Sequence, residues 1–220
     1  MCGRYSLTNP AKIKDICPWL EFIPQTSSRL NIAPSEMVLM VPSHDASRMV
    51  FAQWGLTVDW QDQRCGEAVI SRRPTRLINA RAETVLQKPT FAGLFRGQRC
   101  LIPADGFYEW PHPPVPADDA KKPAPILFAR PDRRPFCFAG LFGGDLGGKT
   151  QPAQCVILTT AAGKLVRSVH DRMPVIVPDD KLQFYLQSDC GDPNLHRLLR
   201  ADLPADMRMQ PENPAIRLQT

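Results

Sequence analysis

The sequence predicts an α+β domain built on a mostly antiparallel sheet, and three observations carry that expectation. Short apolar runs recur from Met37 to Val177, each closed by Pro, Gly or polar residues, at strand length rather than helix length. Proline numbers 23 in 220 residues, about twice the usual ~5%. That density suits many short strands joined by rigid loops and disfavours a helix bundle. The helical signals are short and stand apart from the strand runs, as in a fold whose helices flank a sheet.

Taken in chain order, Thr8-Asn9-Pro10 opens a short helix over Ala11 to Cys17, with Asn9 as N-cap, Pro10 at the first helical position and Pro18 as the stop. Met37 to Val41 and Met49 to Trp54 read as strands. Ala82 to Gln87 reads as a short helix ended by Pro89. Strands resume at Arg99 to Ile102, Ile126 to Ala129, Phe136 to Leu141, Cys155 to Thr159 and Val175 to Val177. Asp179 to Gln187 and Asn194 to Arg200 read as a pair of surface helices. Pro111 to Pro125 and Gly143 to Pro152 are loops rather than linkers, because strand runs continue on both sides. One domain is therefore expected over residues 2–203. Residues 204–220, with three prolines, are expected as a loosely packed tail.

Composition narrows the function classes. Hydrophobic residues make up 43% of the chain, and no apolar run approaches the ~20 residues that cross a bilayer. The first residues lack the charged-then-apolar layout of a secretion signal, so the expected compartment is the cytoplasm, or the nucleus of a eukaryote. The seven cysteines are odd in number and widely spread, with no Cys-x-x-Cys. This argues against a disulfide framework and against a zinc site. The four histidines show no ligand spacing either. No metal and no cofactor are expected. Net charge is +5, and the stretch from Arg64 to Arg99 holds eight basic residues against Glu67 and Glu83. Such a stretch fits a phosphate-binding surface, and it fits a solvated basic loop equally well.

Cys2 carries the chemistry most worth testing. Loss of Met1 leaves one residue with a free α-amine, titrating near ~8, and a thiol near ~8.5. A 1,2-aminothiol condenses with an aldehyde to a Schiff base, and the thiol then closes a thiazolidine ring. The plainer reading makes Cys2 an incidental small residue before the first strand, and position alone does not exclude it.

Four local sequences add candidate groups: Cys2-Gly3-Arg4-Tyr5, Ile78-Asn79-Ala80-Arg81-Ala82-Glu83-Thr84, Pro103-Ala104-Asp105-Gly106-Phe107-Tyr108-Glu109-Trp110, and His170-Asp171-Arg172-Met173-Pro174-Val175. Each has an ordinary structural reading. Asn79 can cap the helix near Ala82, Glu109 can be a surface carboxylate, and His170 can be a satisfied structural histidine. Together, in this order, they closely resemble the SRAP family, named for SOS-response-associated peptidases and understood as abasic-site processing proteins. Asn31-Ile32-Ala33-Pro34, Trp54-Gly55-Leu56 and Leu158-Thr159-Thr160-Ala161-Ala162 extend the resemblance, which runs from Cys2 to about Val177. Thr57-Val58-Asp59-Trp60 departs from it, since relatives place a proline in that tryptophan-containing loop.

The resemblance implies a barrel-like β core flanked by short helices, acting as a monomer. It also implies that Cys2 captures the ring-opened aldehyde of an abasic site in single-stranded DNA as a thiazolidine crosslink that shields the lesion. Cys2, Asn79, Glu109 and His170 would be the catalytic set. A carboxylate with a raised pKa suits the proton transfers, an imidazole works near neutrality, and an amide orients without titrating. Arg4, Pro34, Trp60, Arg81, Trp110, Thr160 and Arg172 would contact DNA, the guanidinium groups at phosphates and the indoles at unstacked bases. In a bacterium the protein would associate with the nucleoid when bound to DNA. Two other readings stay open: an N-terminal-nucleophile peptidase in which Cys2 attacks an amide, and a non-covalent single-strand-binding module.

Overall fold

The computed structural model describes residues 2–58, 75–111, 124–146 and 151–211. Its strands in the first half of the chain are β1 (Arg4–Leu7), β2 (Arg29–Ile32), β3 (Met37–Pro42), β4 (Val50–Trp54), β5 (Leu56–Val58), β6 (Thr75–Leu77) and β7 (Asn79–Arg81). The second half contributes β8 (Arg99–Ala104), β9 (Gly106–Glu109), β10 (Ile126–Ala129), β11 (Phe136–Gly143), β12 (Gln154–Ala161), β13 (Arg172–Pro174), β14 (Ile176–Val177) and β15 (Arg208–Pro211). The α-helices are α1 (Ile13–Ile16), α2 (Pro89–Gly97), α3 (Lys164–Arg167), α4 (Leu182–Gln187) and α5 (Pro193–Leu198).

Strands β12, β4, β3, β8 and β11 pair in that order, and β11 pairs back onto β12, closing a five-strand barrel. A ring of alternating strand directions needs an even number of strands, so five must include a parallel neighbour. Here it is β4 beside β12, with Gln154 opposite Gln53 and Cys155 opposite Trp54. Closure leaves the ring itself no open edge. Strands β7 and β13 extend from β12, and β14 from β11. The expected barrel-like, mostly antiparallel core with short flanking helices is the fold observed.

Every residue of β8 and β11 is buried, as expected of strands covered on both faces. One face lines the barrel; the other lies under α2, which buries Phe91 and Phe95, and α4, which buries Leu182, Tyr185 and Leu186. Tyr185 donates from its hydroxyl to the Gly140 carbonyl at 2.8 Å, pinning α4 to β11.

A second, antiparallel sheet runs in the order β15, β10, β9, β1, β2. Tyr5 joins it to the barrel, lying edge-on to Trp54 (5.3 Å between ring centroids) and to Phe138 (5.6 Å). Phe107 stacks on Phe128 at 5.0 Å and meets Phe138 edge-on at 6.3 Å. Such aromatic pairs add roughly 0.5–1.5 kcal/mol each beyond simple burial.

The corner from β8 into β9 holds the amino-terminal strand in place. Asp105, fully buried, accepts from Ser6 Oγ (2.8 Å), Arg133 Nη2 (2.8 Å) and Asn9 N–H (3.3 Å), and also from the amide and hydroxyl of Thr8. The next residue is glycine because a Cβ there would stand 2.7 Å from Leu127 Cδ1 and 3.0 Å from Ser6 Oγ.

Several sequence expectations are modified. Asn9 makes no side-chain cap bond; the first helical segment is a 3₁₀ turn over Pro10–Lys12 leading into α1. Ala82–Thr84 forms only a 3₁₀ turn, and Pro89 opens α2 instead of closing a helix. A proline at the first helical position loses nothing, since its missing N–H would have no intrahelical partner. Beyond Pro204, Met207 is buried and β15 pairs with β10, Leu127 facing Gln210. No helix among the described residues is long and apolar enough to cross a membrane.

Candidate active site

Strand β1 lies between β9 and β2, with Arg4 opposite Tyr108 and Tyr5 opposite both Phe107 and Ile32. This register carries the chain start past Glu109, the last residue of β9. Cys2 is fully buried, and its thiol lies 3.9 Å from the Arg4 carbonyl. Burial raises the thiol pKa well above its ordinary value, and the neighbouring Glu109 carboxylate raises it further. At rest Cys2 is a thiol rather than a thiolate.

Asn79 arrives from the other side. Strand β7 runs parallel to β12, with Asn79 opposite Ile157 and Arg81 opposite Thr159. From there Asn79 Nδ2 donates to the Cys2 carbonyl at 2.9 Å. The Asn79 Oδ1 is buried and has no hydrogen-bond partner among the described residues, so one acceptor of the site remains available.

Glu109 is 2% exposed. Burial pushes its carboxyl up to about 7, Asp171 adds to the rise, and the positive chain terminus pulls the other way. A carboxyl titrating there exchanges protons in both directions at neutral pH. His170 follows α3, its amide bonded to the Val166 carbonyl at 2.9 Å. Its Nδ1 accepts the Arg172 N–H at 2.9 Å and lies 3.0 Å from Asp171 Oδ1. Asn79 is thus hydrogen-bonded to Cys2, Glu109 acts electrostatically on the Cys2 thiol, and Asp171, which lies against His170, acts on Glu109.

The expected DNA contacts are placed unequally. Arg81 is exposed on β7. Arg4 is half-buried and donates to the Gly3 carbonyl at 2.8 Å. Trp110 is half-buried against Tyr108, Leu127 and Ala129. Pro34 is half-buried, just before Ser35, whose φ of 77° marks a tight turn. Thr160 is 3% exposed and faces Glu83 at 3.4 Å. Arg172 donates both terminal nitrogens to Glu83, at 2.7 and 2.9 Å, and one of them to the Thr159 carbonyl at 2.7 Å. Trp60 lies outside the described residues.

Two residues were misread or missed at the level of sequence. Arg99, counted in the basic stretch, is 4% exposed. It donates to the carbonyls of Phe95 (2.7 Å), Tyr185 (2.8 Å) and Leu186 (3.3 Å), and to that of Ser188. These lie at the carbonyl ends of α2 and α4, where a cation is favoured. Glu83 entered only as a charge to be subtracted. Arg172 holds its carboxyl down at about 2, through the hydrogen bonds of its fork. Its place between Arg81 and Thr84 in a motif-bearing segment was the one available hint.

A closed barrel with a cysteine at the chain start, gripped from a strand beside the barrel, defines a class of protein, and the comparisons identify it. Residues 1–217 match the model of the SOS response associated peptidase (SRAP) family, and the chain belongs to that family. Its relatives include the abasic site processing protein YoqW of Bacillus subtilis (strain 168), 32% identical over 214 residues, covering 94% of this chain and 89% of that one. The abasic site processing protein YedK of Escherichia coli (strain K12) is 24% identical over 196 residues, 86% of this chain and 81% of that one. The abasic site processing protein HMCES of Xenopus tropicalis is 33% identical over 158 residues, 62% of this chain but only 44% of that longer one. Among solved structures, a Bacteroides thetaiotaomicron protein superposes with a TM-score of 0.74 at 19% identity, over 100% of this chain and 95% of that one. A phage-related protein from Bordetella bronchiseptica gives 0.71 at 24% identity, over 96% and 94%.

Proposed function

We propose that this protein processes abasic sites in single-stranded DNA by trapping the ring-opened aldehyde at Cys2, once Met1 is removed. The observation that carries the reading is the grip of Asn79 on the Cys2 carbonyl beside a buried Glu109 that titrates near neutrality. Relatives named abasic site processing proteins supply the substrate class.

The Cys2 amine attacks the aldehyde carbon to give a carbinolamine, which loses water to an imine. The thiol then adds to the same carbon, and its proton passes to the nitrogen. The product is a thiazolidine, with one water released overall. Glu109 shuttles the protons: ionised, it takes one from the attacking group; protonated, it gives one to the departing hydroxyl. Because burial keeps the Cys2 thiol protonated, ring closure depends on such a transfer. Asn79 fixes the Cys2 backbone and leaves the amine and thiol unhindered. His170 serves as a second proton-transfer group. Arg4 and Arg81 receive phosphates, and Trp110 offers a face to an unstacked base.

The test is denaturing electrophoresis of the purified protein with an abasic oligonucleotide. Wild type forms a heat-stable conjugate and Cys2→Ala does not. Equal conjugate from both would refute the role of Cys2. A peptidase acting through Cys2 would instead release Met1 from its own chain or cleave a supplied peptide. Intact-mass measurement with and without host aminopeptidase separates the two.

A further inference from the structure

Helices α4 and α5 each carry a second face that the core does not use. On α4, Leu182, Tyr185 and Leu186 are buried, while Phe184 is only half-buried. On α5, Leu195 is buried, as is Leu199 just beyond its end. Asn194, Arg197, Leu198 and Ala201 fall on a different stripe, at the spacing of one helical face. A turn bond from the Ala201 N–H to the Leu198 carbonyl, at 3.1 Å, carries that stripe past the end of the helix.

This stripe looks across a groove of about 400 Å³ at Pro178, Lys181 and Phe184. Clefts of that size hold ligands or anchoring side chains. Pro178, Phe184, Leu198 and Ala201 give the groove an apolar floor, and Lys181 and Arg197, both exposed, stand on opposite walls. Nearby acids leave the rim cationic. Asp179 is taken up by Arg130 and Arg134, at 3.3 and 3.2 Å. Asp180 lies 3.2 Å from Lys181, with both side chains exposed, and such surface pairs are worth little. Arg197 meets the neutral amide oxygen of Asn194 at 3.4 Å. None of Cys2, Asn79, Glu109 and His170 lines the groove.

We propose that this groove docks an acidic peptide segment of a partner protein, with one bulky apolar side chain on the floor and flanking carboxylates at Lys181 and Arg197. Complementarity selects that occupant. A phosphate backbone would meet the two cations but leave the apolar floor in water. An uncharged apolar segment would cover the floor but crowd the cations without pairing them. Carboxylates on either side of an apolar residue answer both demands, and Arg197 can grip one of them with two parallel bonds. On a DNA-bound partner such a segment is repelled by the phosphates and stays free for capture. Docking would then bring this protein to a strand without occupying the Cys2 site. The inference goes beyond the abasic-site reading and does not depend on it.

The experiment is fluorescence anisotropy of the full chain with a fluorescein-labelled peptide, one phenylalanine flanked by two aspartates on each side. Wild type should bind it saturably, at roughly 10–100 µM. Exchanging the phenylalanine for serine should weaken binding at least about tenfold, the loss expected when a large apolar side chain is no longer buried. The double variant Lys181→Glu, Arg197→Glu should also bind at least about tenfold more weakly. Both residues are exposed, so its melting curve and its crosslinking to an abasic oligonucleotide should match wild type. Saturating unlabelled single-stranded oligonucleotide should leave the peptide bound. Absence of saturable binding up to about 1 mM, or equal affinity in the double variant, would overturn the proposal. Displacement by the oligonucleotide would place the peptide in the DNA site and overturn it too. Sedimentation showing a wild-type dimer that the double variant loses would assign the groove to a second copy instead. If wild type binds the peptide yet forms no crosslink, the capture reading fails while the docking groove stands.

Discussion

The side-chain amide of Asn79 donates to the backbone carbonyl of Cys2 at 2.9 Å, across 77 positions of sequence. The contact clamps the start of the chain by its main chain and leaves its reactive atoms uncovered by Asn79. Parallel pairing of β7 with β12 places Asn79, and antiparallel pairing of β1 with β9 places Cys2. A bond between two separately anchored strands costs little further ordering entropy, which makes it a precise locator.

Asn79→Ala should therefore slow crosslinking about 10- to 100-fold at saturating DNA, since small misplacements of reacting groups cost about that much. Stability should fall by roughly 1–3 kcal/mol, because a buried carbonyl loses its donor. A single-turnover time course and a denaturant melt read the two effects. A normal rate in the folded variant would show that the clamp is irrelevant to chemistry.

Glu109 makes a prediction about pH. Its folded pKa of about 7 exceeds the ordinary unfolded value near ~4.3. Between those values the folded state binds more protons, so stability declines as pH rises from about 4 to 7 and stays low above. Glu109→Gln should remove that decline, gaining roughly 1–3 kcal/mol on wild type at alkaline pH relative to acid. The crosslinking rate of wild type should rise through the same window as the carboxylate forms, and the rate of the Gln variant should not. Parallel melting curves at pH 5 and pH 8 would settle the stability half, and parallel profiles would count against the raised pKa.

Arg81 and Arg99 should part company. Arg81→Ala, on an exposed residue, should leave the melting curve in place, weaken DNA binding broadly and lower the salt slope by about 1. Arg99→Ala should cost roughly 3–5 kcal/mol, since four carbonyls lose a buried donor, with the salt slope unchanged. A flattened slope for Arg99→Ala would place that residue at the DNA.

Strandedness follows from the location of Cys2. A sugar must leave its helix to reach a buried residue tethered to the sheet, and in duplex DNA that requires a few kcal/mol of unstacking and unpairing. Crosslinking should be faster to an abasic site in single-stranded DNA than inside a continuous duplex, with a duplex ending beside the lesion tolerated. Equal rates on single strand and continuous duplex, at matched concentration and salt, would sink the single-strand preference.

Much of the sheet was legible because strands announce themselves locally. Ile126–Ala129 has the predicted bounds, and the runs at Met37, Phe136 and Cys155 needed extension by only one to three residues. The misses share a cause. Helix α2 went unread because Pro89 is ambiguous between a stop and a start, and burial of Phe91 and Phe95 decides for the start. Strands of three residues such as β7 and β13 carry too little pattern to stand out, being held by their neighbours, whereas β14 falls within the expected run from Val175 to Val177. Cys2, Asn79, Glu109 and His170 were singled out by ordered motifs, since no periodicity marks a single functional side chain.

The sequence by itself determined the strand-rich character of the chain, the SRAP resemblance and the residues at which chemistry was sought, because apolar runs, prolines and motifs are local properties. Tertiary structure alone decided what each charge faces. It buried Arg99 on two helix ends, paired Arg172 with Glu83, and raised Glu109 by burial beside Asp171. It also decided the parallel contact between β4 and β12, which a ring of five strands requires and no local pattern encodes. The electrostatic role of a side chain depends on its solvation and on charges within a few ångströms, and those neighbours are brought together only when distant segments pair.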